Sequence, residues 1–136
     1  MPRPSPNADA HRRTRTDHAR ELAEDYVEAV AELADEAGDC RVTDLAGRFG
    51  VSHVTVIRTV ERLVAEGLVS TAPYRPVRLT AKGKRLATAC RRRHETLVRF
   101  LEKLGVRPAV AAIDAEGIEH HLSPETLRRI EAFVTG

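Results

Sequence analysis

The sequence predicts a mainly α chain in which an N-terminal winged helix-turn-helix is followed by a second helical unit. Three observations lead there. Residues 42–63 read as a short helix, a turn at Gly50 and a longer helix with a polar first turn. Directly after them, two short β-prone runs flank Ala72-Pro73-Tyr74-Arg75-Pro76, the composition of a hairpin turn. From Thr80 onward apolar residues return at helical spacing to the end of the chain. With 136 residues there is material for one compact domain, or two small units sharing a core, and not for a large multidomain enzyme. Hydrophobic residues make up 42% and charged residues 31%, within the globular range, and the apolar runs fall far short of the roughly 18 residues a membrane span needs. No apolar signal-peptide core opens the chain, so a cytoplasmic protein without a membrane partner is expected. Cys40 and Cys90 stand alone, without the paired spacing of a zinc ribbon or a disulfide framework.

The elements follow in order. Residues 1–16 are rich in Pro, Asn, Ser and Arg without apolar periodicity and are expected to form a disordered basic arm. Residues 17–84 are expected to make the winged helix-turn-helix unit. Its first helix runs from about Asp17 to Ala37, with Leu22, Tyr26, Ala29, Val30 and Leu33 on one face and Gly38 as the stop. A second helix spans Asp44 to Phe49, and Gly50 breaks it. Ser52 caps a third helix, His53 to Ala65, and Gly67 closes that one. Strands are expected at Leu68–Ser70 and Val77–Leu79. The second unit, 85–136, begins within a long helix from about Ala81 to Leu104 whose stripe is Ala87, Cys90, Leu97, Leu101 and Leu104. Pro108 opens a segment running to about His121, and Ser123-Pro124 starts a last helix to Val134.

Charge is distributed in blocks that the net +2 hides. Residues 21–40 hold eight acids and no Lys or Arg, whereas residues 41–84 hold eight basic groups against three acids and residues 85–99 five Arg against one Glu. A basic centre between two acidic stretches, residues 21–40 and 100–136, suggests a polyanion site beside a site for something cationic. In the third helix Val56, Val60 and Leu63 form the inward stripe. Ser52, His53, Thr55, Arg58 and Arg62 are left outward or flanking, the residue types that meet bases and phosphates in double-stranded DNA. In the hairpin Tyr74, Arg75 and Arg78 are candidates for phosphates or the minor groove; a solvated surface is the plainer alternative.

A second constellation lies outside the helix-turn-helix. Glu116, Glu119 and His120 stand at i, i+3 and i+4 and can converge on a cation, although an acidic helix bearing a histidine is also ordinary surface. Asp25 and Glu28 repeat the i, i+3 spacing inside the acidic block, and His94 follows Arg91-Arg92-Arg93.

The segments AEDYVEAV at 23–30, VTDLAGRFGVSHVTVIRTVERL at 42–63, RRHETLVRFLEKLGV at 92–106 and DAEGIEHHLSPETL at 114–127 together resemble the manganese-responsive transcription regulators of the diphtheria-toxin-repressor family. The resemblance implies that the second unit is a dimerisation domain. It also implies a pair of divalent ions held by Asp25, Glu28, His94, Glu116, Glu119 and His120. Iron-responsive members are similar but place a methionine where Asp25 stands and a cysteine where Glu116 stands, so the carboxylates here point to Mn(II), with Fe(II) or Zn(II) tolerated. Such iron-type members often carry a further SH3-like domain, which this chain is too short to hold. Four carboxylates with neutral histidines balance about two divalent ions. Cys90 is expected to be buried in its helix stripe, and His121 to pack or hydrogen-bond beside a ligand. The expected protein is a Mn(II)-activated homodimeric repressor of manganese uptake genes, bound to a palindromic operator, and not an enzyme. Two rivals are a metal-independent winged-helix regulator and a di-metal carboxylate oxidase. The oxidase is disfavoured because the middle of the chain is given over to a helix-turn-helix instead of paired Glu-x-x-His helices.

Overall fold

The computed structural model describes residues 6–136. Six helices and one two-stranded sheet follow in the order α1 (Pro6–Ala37), α2 (Val42–Phe49), α3 (His53–Ala65), β1 (Val69–Ser70), β2 (Arg78–Leu79), α4 (Ala81–Lys103), α5 (Pro108–Ile118) and α6 (Pro124–Thr135). The chain divides into two compact units: Ala23–Arg91, and the residues up to Leu22 together with Arg92–Gly136.

The first helix corrects the expectation of a disordered arm. It begins at Pro6, not near Asp17, and runs for 32 residues. Proline is at home in a first helical turn, and the following stretch is rich in Ala and Arg, good helix formers. Extending an existing helix avoids the cost of nucleation, so propensity alone can carry it without an apolar face. The first five residues of the expected arm lie outside the described ones.

Within Ala23–Arg91, α1 ends where Gly38 adopts a left-handed φ of 85° and its N–H donates to the Ala34 carbonyl at 2.8 Å. The core is built from Tyr26, Val27 and Val30 of α1, Leu45 and Ala46 of α2, Val56, Val60 and Leu63 of α3, and Leu68, Val69 and Val77 of the hairpin. Tyr26 stacks on Phe49 with ring centroids 4.5 Å apart. Arg48 secures the same contact from outside, 2.6 Å from Glu32 and 3.7 Å from Glu36. Gly50, left-handed at φ 64°, turns the chain from α2 into α3. The Asp44 carboxylate accepts from the Arg41 N–H at 2.9 Å, and the Ser52 hydroxyl accepts from the Thr55 N–H at 3.2 Å.

The hairpin is shorter than expected, pairing only Val69 with Leu79 and Ser70 with Arg78. Its flanking groups bond elsewhere. Val77 N–H donates to the Cys40 carbonyl at 2.7 Å, and the Leu68 carbonyl accepts from the Thr80 N–H at 3.0 Å. Thr80 Oγ1 lies 2.6 Å from the Gly67 carbonyl and accepts from the Gly83 N–H at 3.1 Å, so one threonine ties the hairpin base to the first turn of α4.

In the other unit α4 ends at Lys103, where Gly105 turns the chain with φ 97°. Phe100 and Phe133 meet edge to face at 5.7 Å, and Lys103 Nζ donates to the Phe133 carbonyl at 2.7 Å. The segment expected to be helical as far as His121 stops at Ile118, with Glu119 as its C-cap. Gly117 weakens the last turn, and the Ser123-Pro124 pair starts α6, its cap hydroxyl accepting from Thr126 N–H at 3.1 Å.

Candidate metal centre and nucleic-acid interface

In the helix-turn-helix, the sequence stripe on α3 separates as expected. Val56, Val60 and Leu63 are buried, while Ser52, His53, Thr55, Arg58 and Arg62 are exposed along with Val54 and Ile57. Two of the outward hydroxyls already have local work: Ser52 caps the helix, and its Oγ lies 3.0 Å from Thr55 Oγ1. His53 Nε2 lies 3.4 Å from Thr43 Oγ1, which links the ends of α2 and α3. Arg62 stands 3.9 Å from Glu66, and Arg78 stands 3.9 Å from Asp39. Arg58 and Arg75 have no ion-pair partner among the described residues. Tyr74 is fully exposed at the hairpin tip and adopts φ 61°, a conformation that costs a non-glycine residue about 1 kcal/mol.

The C-terminal unit brings His94 of α4 against the end of α5. His94 Nδ1 is 3.3 Å from Glu119 Oε2, and His120 Nε2 is 3.3 Å from Glu119 Oε1. Glu119 is only 1% exposed and His120 4%. Ligand atoms of His94, Glu116 and Glu119 all lie within 4.8 Å of one another. Bonds of about 2.2 Å around one hard divalent cation set ligand atoms about 3 to 4.5 Å apart, so the trio has the span for such an ion. The donor chemistry fits too: His94 Nδ1 is buried and makes no hydrogen bond, although a carboxylate oxygen stands beside it. In the tautomer that carries its proton on Nε2, a nitrogen so placed has its lone pair available to a metal. Asp25 and Glu28 stand one turn apart on the stretch of α1 that belongs to the helix-turn-helix unit, both half-buried.

Sequence reasoning missed the basic residues around these candidate ligands. Arg20 Nη2 donates to the His120 carbonyl at 3.3 Å. Burial lowers the Arg93 guanidinium from its usual range, while Glu119 draws it up and Arg20 pushes it down. Arg93 is one of three consecutive arginines and Arg20 a single arginine ahead of the acidic block, so no spacing marked either for a particular role. His121 Nε2 lies 3.6 Å from Glu21 Oε2. Cys90 is fully buried, as expected of its stripe, and its thiol donates to Glu24 Oε2 at 3.2 Å.

Fold and site together define a winged helix-turn-helix protein with a helical metal-binding unit, and comparison with known proteins assigns it. Residues 19–77 match the iron dependent repressor N-terminal DNA binding domain, and residues 80–135 match the iron dependent repressor metal binding and dimerisation domain. The chain belongs to the iron dependent repressor family. It is 45% identical over 127 residues to the transcriptional regulator MntR of Escherichia coli O6:H1, covering 93% of this chain and 82% of that one. The MntR of Salmonella typhimurium is 44% identical over 127 residues, covering 93% of this chain and 81% of that one. Among solved structures, a manganese-dependent transcriptional repressor in complex with manganese superposes with a TM-score of 0.72 at 34% identity, covering 83% of this chain. The chain spans about half the length of that solved chain, 52%. These relatives are transcription regulators, so the di-metal oxidase reading falls away.

Proposed function

We propose that the protein is a Mn(II)-activated repressor that binds double-stranded DNA as a homodimer. The observation that carries the metal half is the trio His94, Glu116 and Glu119, with a buried imidazole nitrogen that has no hydrogen bond. In this reading His120, Asp25 and Glu28 complete the ligand set, and the four carboxylates balance the charge of about two divalent ions per chain. Mn(II) is favoured over Fe(II) or Zn(II) by the hard oxygen donors and by the manganese named for the 34% identical repressor and implied by the MntR relatives. Without a cation the acids repel one another, and the divalent ion supplies the charge that lets them close up. The homodimer is supported by apolar side chains left open on the C-terminal unit, among them Ile113, Leu104 and Phe133.

DNA binding is assigned to the outward side of α3 and its cap, with Ser52, His53, Thr55, Arg58 and Arg62, and to the hairpin with Tyr74, Arg75 and Arg78. A dimer presents two such helices to a palindromic operator one helical turn apart. Linkage then requires that the factor by which Mn(II) tightens DNA binding is the factor by which DNA tightens Mn(II) binding.

The test counts Mn(II) per chain by equilibrium dialysis at neutral pH, followed by selection of an operator from a random duplex library with and without Mn(II). About two ions are expected, reduced in Asp25→Ala, with retention of DNA only when Mn(II) is present. Equal retention after chelation would leave a metal-independent winged-helix regulator.

A further inference from the structure

The end of α5 is electrostatically adverse. The C-terminus of a helix carries partial negative charge, yet α5 has no basic residue in its last turn, holds Glu116 there and is capped by Glu119. The missing cation comes from another helix. Arg20 of α1 donates from Nη2 to the carbonyl of His120, the residue after the cap, at 3.3 Å. Asp17, one turn earlier, orients the same nitrogen at 3.3 Å. The next residues pair as well, Glu21 with His121 at 3.6 Å. Two successive residues of α1 therefore hold two successive residues of the turn that follows α5, all within one compact unit.

We propose that Arg20 is a positioning residue for metal binding: by holding the His120 main chain it keeps that imidazole beside Glu119, and so lowers the ordering cost of forming the site. The inference rests on the metal-sensor reading above. Two effects of Arg20 oppose each other. Its positive charge repels an incoming divalent ion, whereas its hydrogen bond fixes a ligand. The side chain is 56% exposed and already paired with Asp17, so water and carboxylate screen its field. The bond to the carbonyl needs no such field and acts through geometry, so the positional effect dominates.

Isothermal titration of the full chain with Mn(II) alone tests this. Arg20→Ala is expected to weaken Mn(II) binding roughly tenfold without changing the number of ions bound, the size typical of partners that orient metal ligands. Arg20→Lys, which keeps a donor, is expected to fall between, and the metal-free unfolding midpoint of both variants to stay within about 5 °C of the wild type, the small shift that loss of an exposed charge at a helix end produces. Wild-type or tighter affinity in Arg20→Ala overturns the proposal, and so does a larger fall in the metal-free midpoint, which would make Arg20 a support of the fold. If the unaltered chain takes up no Mn(II), the sensor reading itself has failed, and this proposal falls with it.

Discussion

Cys40 shows how far one buried group can set a solution property. Its thiol is 1% exposed, and burial, reinforced by Asp44 against the opposing Arg48, pushes its pKa from 9.0 to about 11. The folded state therefore binds a proton that the unfolded state releases between those values. Stability from this group is complete below about pH 9 and is lost as pH rises toward 11. Urea unfolding at pH 8 and pH 10.5 should show a steeper loss in the wild type than in Cys40→Ala. The same burial should keep both thiols silent toward a disulfide reagent at pH 8 until denaturant is added, since Cys90 is also fully buried. For the candidate ligands, Glu119→Ala should abolish Mn(II)-dependent DNA binding, checked by fluorescence anisotropy on the selected operator, while sedimentation still finds a dimer. Substituting the exposed Glu116 should cost less metal affinity than substituting the buried Glu119, because an exposed carboxylate is replaced more readily by water.

At the scale of elements, a single glycine governs how the hairpin meets α4. A Cβ added at Gly83 would stand 2.0 Å from the Leu68 carbonyl oxygen, which is main chain and cannot step aside as a flexible side chain could. Gly83→Ala should destabilise the protein by roughly 1–3 kcal/mol, read as a lower thermal midpoint. The helix-turn-helix and the hairpin were legible in the sequence because glycine turns, caps and an apolar stripe all agree at Gly50, Ser52 and Val56. What was not legible had a physical reason in each case. The early start of α1 rests on propensity without an apolar stripe, the very signal that periodicity looks for. The end of α5 at Ile118 depends on competition with the Ser123 cap, which moves Glu119 and His120 from a helix face to a cap and a turn. Of the candidate ligands, the i, i+3, i+4 spacing at Glu116, Glu119 and His120 could be seen locally. The place of His94 beside Glu119 could not, because it joins positions on two helices, and only the family resemblance pointed to it.

At the scale of the molecule, the acidic and basic blocks divide the labour that the net charge conceals. The basic middle should make DNA affinity fall steeply with salt. Arg75→Ala, the loss of an arginine without an ion-pair partner among the described residues, should weaken binding across sequences and flatten the log K against log salt slope by about 1. Arg58→Ala should instead relax preference at particular base pairs, measured by repeating the operator selection with the variant.

The hairpin is fastened at one end only. Its base is tied down by Thr80 and by the close approach at Gly83, while its tip, within the seven residues between the strands, is a four-residue turn closed by one main-chain bond, Arg75 N–H to the Ala72 carbonyl at 3.0 Å. Mechanically it is a cantilever, stiff at Leu68 and Leu79 and increasingly compliant toward Tyr74. Amide exchange should grade along it in that order. Such a beam can trail along a DNA backbone of uneven width without disturbing the helices that support it.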